Sequence, residues 1–317
     1  MISTLVTVQT NKIQVSNLFS DSLVNRWLKF AGVAEKSVTT YTTSIKQMFG
    51  YFRNNNIVNP VREDLENWRD SLINDGKSAN TVRLYIASCK LFFRWLDTEN
   101  LYKNIADHLK VRVKVSGEHK KDFLSKEQSR QLLNFAKGKG TLKDLRDRAI
   151  IALMLTAGLR TIEICRADVK DIRRVNGCYF LYVLGKGRST KSESVKLAPQ
   201  VYSLIQSYLK VRGRVKGDEP LFVSTSNRSK GKRLDTQSIR KLIKKDLRGI
   251  GLDSDRLSAH SLRHTAATQM LLNGVRLEEV QMILRHRNIT VTQIYNHAIQ
   301  RMQNEGENIV ANAIFGT

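Results

Sequence analysis

Cysteine is scarce in this chain, and no disulfide framework can be built from it. The three thiols, Cys89, Cys165 and Cys178, are odd in number, far apart and set in apolar stretches. They read as reduced core thiols, neither a disulfide set nor a zinc knuckle. Acid is short too, since 29 Asp and Glu stand against 53 Lys and Arg, leaving a formal charge of +24. No apolar run approaches the ~18 residues of a membrane span. The polar start from Met1 to Gln14 lacks the basic-then-apolar order of a secretory signal, so a cytoplasmic location and no membrane partner are expected. There is no repeat at solenoid spacing. The Gly-x-x-x-x-Gly-Lys-Ser/Thr loop is missing, so nothing implies nucleotide hydrolysis.

Apolar residues are present in quantity, at 41% of the 317 positions, so the chain is a folded basic protein and not a disordered polycation. So large a positive excess repels itself when compact and is relieved by a polyanion whose counterions are released on binding, which puts nucleic acid first among partners. The length exceeds what one core usually serves, and two domains are expected.

Periodicity divides the chain accordingly. Between Ser37 and Phe52, residues Tyr41, Ile45, Met48, Phe49 and Phe52 fall on one helical face. Val82, Tyr85, Ile86, Cys89, Phe93 and Leu96 repeat the pattern, with Leu23, Trp27, Leu65, Trp68 and Leu72 marking two shorter helices. After an extension over 1–17, residues 18–107 are expected to form a four-helix domain. The stretch 108–122 is the expected linker, and its Lys110, Arg112, Lys114, Lys120 and Lys121 suit either a strap across phosphates or an edge strand with solvated lysines. A second domain over 123–300 opens with a capping box from Ser125 to Gln128. Its helix from Leu142 to Ala157 ends at Gly158, and Tyr179–Leu184 and Ser194–Leu197 are expected as the only strands. Helices follow over Pro199–Leu209, Gln237–Arg248, Ser261–Leu272, Leu277–Leu284 and across Tyr295. The fold class is therefore mainly α, in two domains, the second α+β with a small antiparallel sheet.

Four strings stand out within the second domain: Ala157-Gly-Leu-Arg-Thr-Ile-Glu163, Leu184-Gly-Lys-Gly187, His260-Ser-Leu-Arg-His264, and Leu284-Arg-His286 with Tyr295 nine residues on. Taken singly, each has an ordinary alternative. Arg160 and Arg263 suit surface or ion-paired arginines, Glu163 a helix-end carboxylate, Lys186 a merely basic hairpin shared with Arg188 and Lys191, His260 and His286 capped or core histidines, and Tyr295 a core phenol beside Val291, Ile294 and Ala298. The His260, His264 pair has zinc spacing but needs a third ligand, and no metal site is expected.

In this order, the four strings resemble the signature of the tyrosine recombinase (integrase) family, of the compact Xer and phage type. The resemblance implies a SAM-like helical domain that binds the core site and a catalytic domain that clamps duplex DNA. It assigns Tyr295 as the nucleophile that becomes joined to DNA, Arg160, Arg263, His260 and His286 as groups acting on the phosphate, Lys186 as the general acid, and Glu163 as an orienting carboxylate. No cofactor is implied, neither metal nor ATP, because a phosphotyrosine link retains the energy of the broken ester. Breaking a phosphodiester builds charge on the non-bridging oxygens, so several fixed cationic donors are needed at one phosphate. A phenol of pKa about 10 becomes a nucleophile only where cations favour its anion.

The implied partners are double-stranded DNA, three further copies of the chain in a homo-tetramer on paired sites, and an accessory or directionality factor. Further DNA contacts are expected from Arg188, Lys191, Lys232, Arg233, Arg240, Lys241 and Lys244. One departure stands out: the family usually has Leu-Gly-His where this chain has Leu284-Arg285-His286, which brings bulk and charge to a tight helix end. The tail over 301–317 carries an apolar stripe, Ile309, Val310, Ala313 and Ile314, expected to contact a neighbouring copy. The alternatives from other classes are a DNA-binding regulator in which Tyr295 only packs, and a strand transferase of the type IB topoisomerase kind.

Overall fold

The computed structural model describes residues 21–32, 35–111, 122–185, 189–286, 288, 293 and 304–316. The chain divides into two compact units between Ser116 and Gly117.

In the first unit, helices α1 (Asp21–Phe30), α2 (Glu35–Asn54), α3 (Arg62–Asn74) and α4 (Ala79–Thr98) enclose one core. Helix α4 begins where the Ser78 side chain accepts from the Thr81 amide, which meets one of the orphan donors of its first turn. Trp27, Trp68 and Trp95 are fully buried, and Trp27 meets Phe92 edge-on at 5.3 Å. Burial of that many rings is the main stabilising contribution of this unit, at about 2 to 3 kcal/mol per large apolar side chain. Arg69 is also buried, donating to Asp70 and to the carbonyl of Lys110 at 3.0 Å, and so draws the chain beyond the helices back onto them.

The second unit is built around α6 (Leu142–Ala157), which follows the short α5 (Lys126–Phe135). Every residue of α6 from Ala149 to Leu155 is buried, so this helix is covered on all sides, as a helix apolar all round must be. It packs against α8 (Pro199–Arg212) and α10 (Ala259–Leu272). Between them come α7 (Thr161–Arg166), a three-residue 3-10 turn, and the antiparallel strands β1 (Ile172–Val175), β2 (Cys178–Val183) and β3 (Glu193–Leu197) in the order β1-β2-β3. Helices α9 (Thr236–Gly249), α11 (Leu277–Leu284) and α12 (Gly306–Phe315) complete the described elements.

Strand β1 was not expected. It contributes only two apolar residues and leaves three of its four positions exposed, so it lacks alternation. Its real signal is the Asn176-Gly177 pair that joins it to β2, with both residues at positive φ, 47° and 78°, as a two-residue hairpin turn demands. The short helix α7 and the 3-10 turn were not expected either, both expected strands begin one residue earlier, and the remaining differences are at helix ends. Helix α10 starts two residues before Ser261, and α8 runs on to Arg212. Cys89 and Cys165 are buried and Cys178 is half-buried, all three free, with burial raising the Cys165 thiol to about 11. No helix of the described residues is long and apolar enough to cross a membrane.

Candidate active site

Two chain breaks and one helix bring the site together. Helix α6 stops at Gly158, whose left-handed backbone (φ 59°) turns the chain so that Leu159 enters the core and Arg160 opens α7. The side chain of Glu163, one turn on, reaches back to its own helix start. One carboxylate oxygen accepts from the Arg160 amide at 2.8 Å and the other from Arg160 Nη1 at 2.8 Å. Glu163 is completely buried, while the Arg160 side chain keeps 29% of its surface.

From α10, Arg263 points into the same region. It is 1% exposed, with Nη1 donating to the Gly158 carbonyl and Nη2 to that of Leu284. A single guanidinium thereby ties together the ends of α6 and α11, meeting two of the carbonyls that helix ends leave without partners. One turn before it, His260 is exposed and its ring meets that of buried His264 edge-on at 4.4 Å. Among the described residues no third His, Cys, Asp or Glu joins them as a metal would require.

The second break follows α11, where Arg285 adopts the left-handed conformation (φ 56°, ψ 45°) and the His286 amide donates a hydrogen bond to the Gln281 carbonyl at 3.1 Å. The Gln281 side-chain amide returns a bond to the His286 carbonyl at 3.2 Å. Arg285 Nη2 donates to Glu163 at 2.8 Å, and the Arg285 carbonyl lies 3.5 Å from Arg160 Nη2.

Charge follows from this geometry. Burial, then the fields of Arg263, Arg160, Arg285 and His260, lower the His286 imidazole to about 3, so it is neutral near pH 7. Burial by itself would raise Glu163. The Arg285 charge, the Arg160 amide bond and the other contacts of these arginines outweigh it and hold the carboxylate below its ordinary value. An open cavity of about 460 Å³ lies beside these groups, lined by Glu193 and Ser194 of β3 and by Glu278, Gln281, Met282, Arg285 and His286.

Of the residues singled out in the sequence, Arg160, Glu163, Arg263 and His286 thus gather at one place, with His260 close enough to act on His286. Lys186, Arg188, Tyr295, Arg112, Lys114, Lys120 and Lys121 lie outside the described residues. Lys110 is exposed. The ammonium of Lys191 is held between two carboxylates, Asp168 at 2.6 Å and Asp171, and Arg233 donates to Asp168 at 2.6 Å. Lys244 donates to the Ser254 carbonyl at 2.7 Å, whereas Lys232, Arg240 and Lys241 are exposed. The two aspartates escaped the sequence reading because isolated acids in a basic chain carry no spacing signal. Arg166 Nη1 donates to the carbonyl of Gly185 at 3.3 Å, so Gly185 and Lys191, which flank Lys186 in sequence, are each tied down.

Phenols elsewhere in this unit are engaged. Tyr208 is buried and its oxygen accepts from the Val223 amide. Tyr202 stacks on Tyr179 at 3.6 Å, and burial with the neighbouring phenol raises it to about 12. Arg173 lies 4.2 Å over the Tyr182 ring.

Comparison with known proteins places this arrangement. Residues 22–102 match the SAM-like N-terminal domain of phage integrases, and residues 122–301 match the phage integrase family itself. Tyrosine recombinase XerD of Yersinia pestis is 30% identical over 298 residues, 92% of this chain and 96% of that protein. Tyrosine recombinase XerC of Corynebacterium glutamicum is 31% identical over 237 residues, 74% of this chain and 72% of its own length. In fold, the chain is similar to the XerH site-specific recombinase in its post-cleavage complex with the palindromic difH substrate, with a TM-score of 0.73 at 23% identity, covering 94% of this chain and 87% of that one. The chain belongs to the phage integrase family, the tyrosine recombinases, and is a site-specific DNA recombinase.

Proposed function

We propose that this recombinase cuts and rejoins duplex DNA through a 3′-phosphotyrosine link at Tyr295, and that four copies on two sites exchange strands pairwise through a Holliday junction. The observation that carries the reading is the convergence of Arg160, Arg263 and His286 from three separate parts of the chain, with Arg160 held by the buried Glu163 and the two guanidiniums reaching the Arg285 and Leu284 carbonyls just before His286. Two fixed guanidiniums beside a neutral imidazole are suited to the charge that grows on the non-bridging oxygens of a phosphodiester.

In the proposed reaction the Tyr295 oxygen attacks phosphorus and the 5′ oxygen departs, taking its proton from Lys186. Arg160 and Arg263 stabilise the pentacoordinate charge. His260 and neutral His286 hydrogen-bond the phosphate oxygens or relay the phenolic proton. Attack by a 5′ hydroxyl from the second duplex reverses the step and seals the strand without ATP. The engaged state of Tyr182, Tyr202 and Tyr208 favours Tyr295 as the nucleophile.

The exposed cations Lys232, Arg240 and Lys241, with the basic residues 110–121, serve as contacts along the DNA backbone. Integration, excision and dimer resolution draw on the same chemistry, with a directionality factor choosing among them.

The test is to incubate wild-type and Tyr295→Phe protein with a pool of nicked duplexes in chelator, then denature. Wild type should leave DNA bound covalently to protein, and Tyr295→Phe should bind DNA equally and leave none. No adduct from wild type would favour a DNA-binding regulator, and an adduct of normal yield from Tyr295→Phe would move the nucleophile.

A further inference from the structure

Five residues other than glycine adopt positive φ among the described residues: Asn56, Asn100, His108, Asn176 and Arg285. Asparagine and histidine tolerate that backbone comparatively well, but a long side chain gains nothing there from its own conformation. Arg285 carries two further liabilities. Its side chain is 4% exposed, and its buried Nε has no hydrogen-bond partner among the described residues. It also brings a third guanidinium to a cluster that already holds those of Arg160 and Arg263. In exchange it pairs with Glu163 and donates to the Ile283 carbonyl. For the resting protein, glycine would meet the backbone requirement of this position at less cost.

The balance of charge shows what the arginine adds. Glu163 and Arg160 alone would present a neutral ion pair to an incoming phosphate. With Arg285 on the other carboxylate oxygen, Glu163 is shared, and the trio keeps one net positive charge while Arg160 remains anchored by its amide and Nη1 bonds.

We propose that Arg285 is a positioning residue of the strand-transfer site: by sharing Glu163 with Arg160 it leaves the cluster one positive charge richer, destabilising the resting site and favouring the bound phosphate. This rests on the recombinase reading above. Arg285 also faces His286 together with Arg160, Arg263 and His260, and the cavity beside them holds Glu193 and Glu278, so its charge bears on the His286 proton as well.

The experiment compares wild type with Arg285→Gly, Arg285→Asn and Arg285→Lys in the full chain, Gly and Asn being at home in the left-handed region. Three quantities are read: the thermal midpoint, the His286 titration by NMR without DNA, and the rate of covalent adduct formation. Arg285→Gly and Arg285→Asn should melt at or above the wild-type temperature, raise the His286 pKa, and slow adduct formation on the order of tenfold or more. Arg285→Lys should recover part of the rate. In a Glu163→Gln background the effect of Arg285→Gly on rate should shrink, because the shared carboxylate is gone.

A lower melting temperature with activity lost in proportion would make Arg285 an ordinary structural ion pair and overturn the proposal. So would an Arg285→Gly protein that cleaves at the wild-type rate with an unmoved His286 titration. Wild type that forms no adduct would count against the recombinase reading, while the melting and titration results would still decide whether Arg285 strains the site.

Discussion

His286 titrates far from its ordinary range because it is buried among guanidinium groups, and the consequence extends to stability. Between pH 6.5 and about 3 the unfolded chain binds a proton at this ring that the folded chain does not. The contribution is therefore fully present above pH 6.5 and is lost as pH falls through that window. Ring-nitrogen NMR should find His286 neutral at pH 5 in the free protein, and His286→Asn should flatten the decline of thermal midpoint between pH 6.5 and 4. A ring that titrates with a midpoint near 6.5 would mean that the arginines do not surround it as described. At this scale what was legible is that Arg160, Glu163, Arg263 and His286 lie together, since all four sit in the strings singled out in the sequence. The partner of Glu163 across the site was not. Arg285 stands out in sequence only as an awkward residue at a tight helix end, and its bond to Glu163 spans 122 positions, which no local spacing can announce.

Elements meet at the site through their ends, and Gly158 is the most constrained of these. A Cβ at that position would stand 2.3 Å from a Leu284 methyl carbon, on a backbone at φ 59°. Gly158→Ala should cost about 2 to 4 kcal/mol, adding left-handed strain to overpacking of the α6–α11 junction. Gly50, inside α2 with open space around it, provides the contrast, since Gly50→Ala should gain about 0.5 to 1 kcal/mol. Urea denaturation of both variants checks the pair, and equal midpoints would show that the glycine requirement at Gly158 is not steric. Helix periods and caps made most elements readable from sequence, α6 and α11 to the residue. Strand β1 was hidden because a short exposed strand has no hydrophobic alternation, although its Asn-Gly turn was in plain view.

Across the whole molecule, the surplus of +24 sets up attraction to DNA that weakens with salt, while assembly depends on apolar surface. Helix α12 offers such a surface, with Ile309, Val310, Ile314 and Phe315 exposed on a helix of ten residues. So short a helix is marginal without a partner, and the partner we propose is a neighbouring protomer. Deleting residues 306–317 should leave the thermal midpoint and single-site DNA binding unchanged while reducing synapsis, measured by sedimentation of DNA complexes. Normal assembly by the truncated chain would send the stripe elsewhere.

The anchoring of Gly185 has a further consequence. Gly185 is fixed by Arg166, the last residue of a six-residue helix that begins beside Arg160, a span of about 9 Å. Lys186 is covalently the next residue, so bond lengths alone limit its side chain to roughly 10 Å from that anchor. One group in that volume corresponds to an effective concentration on the order of 0.1 to 1 M. In the reaction proposed above, a general acid kept at such a concentration needs no affinity of its own for the DNA.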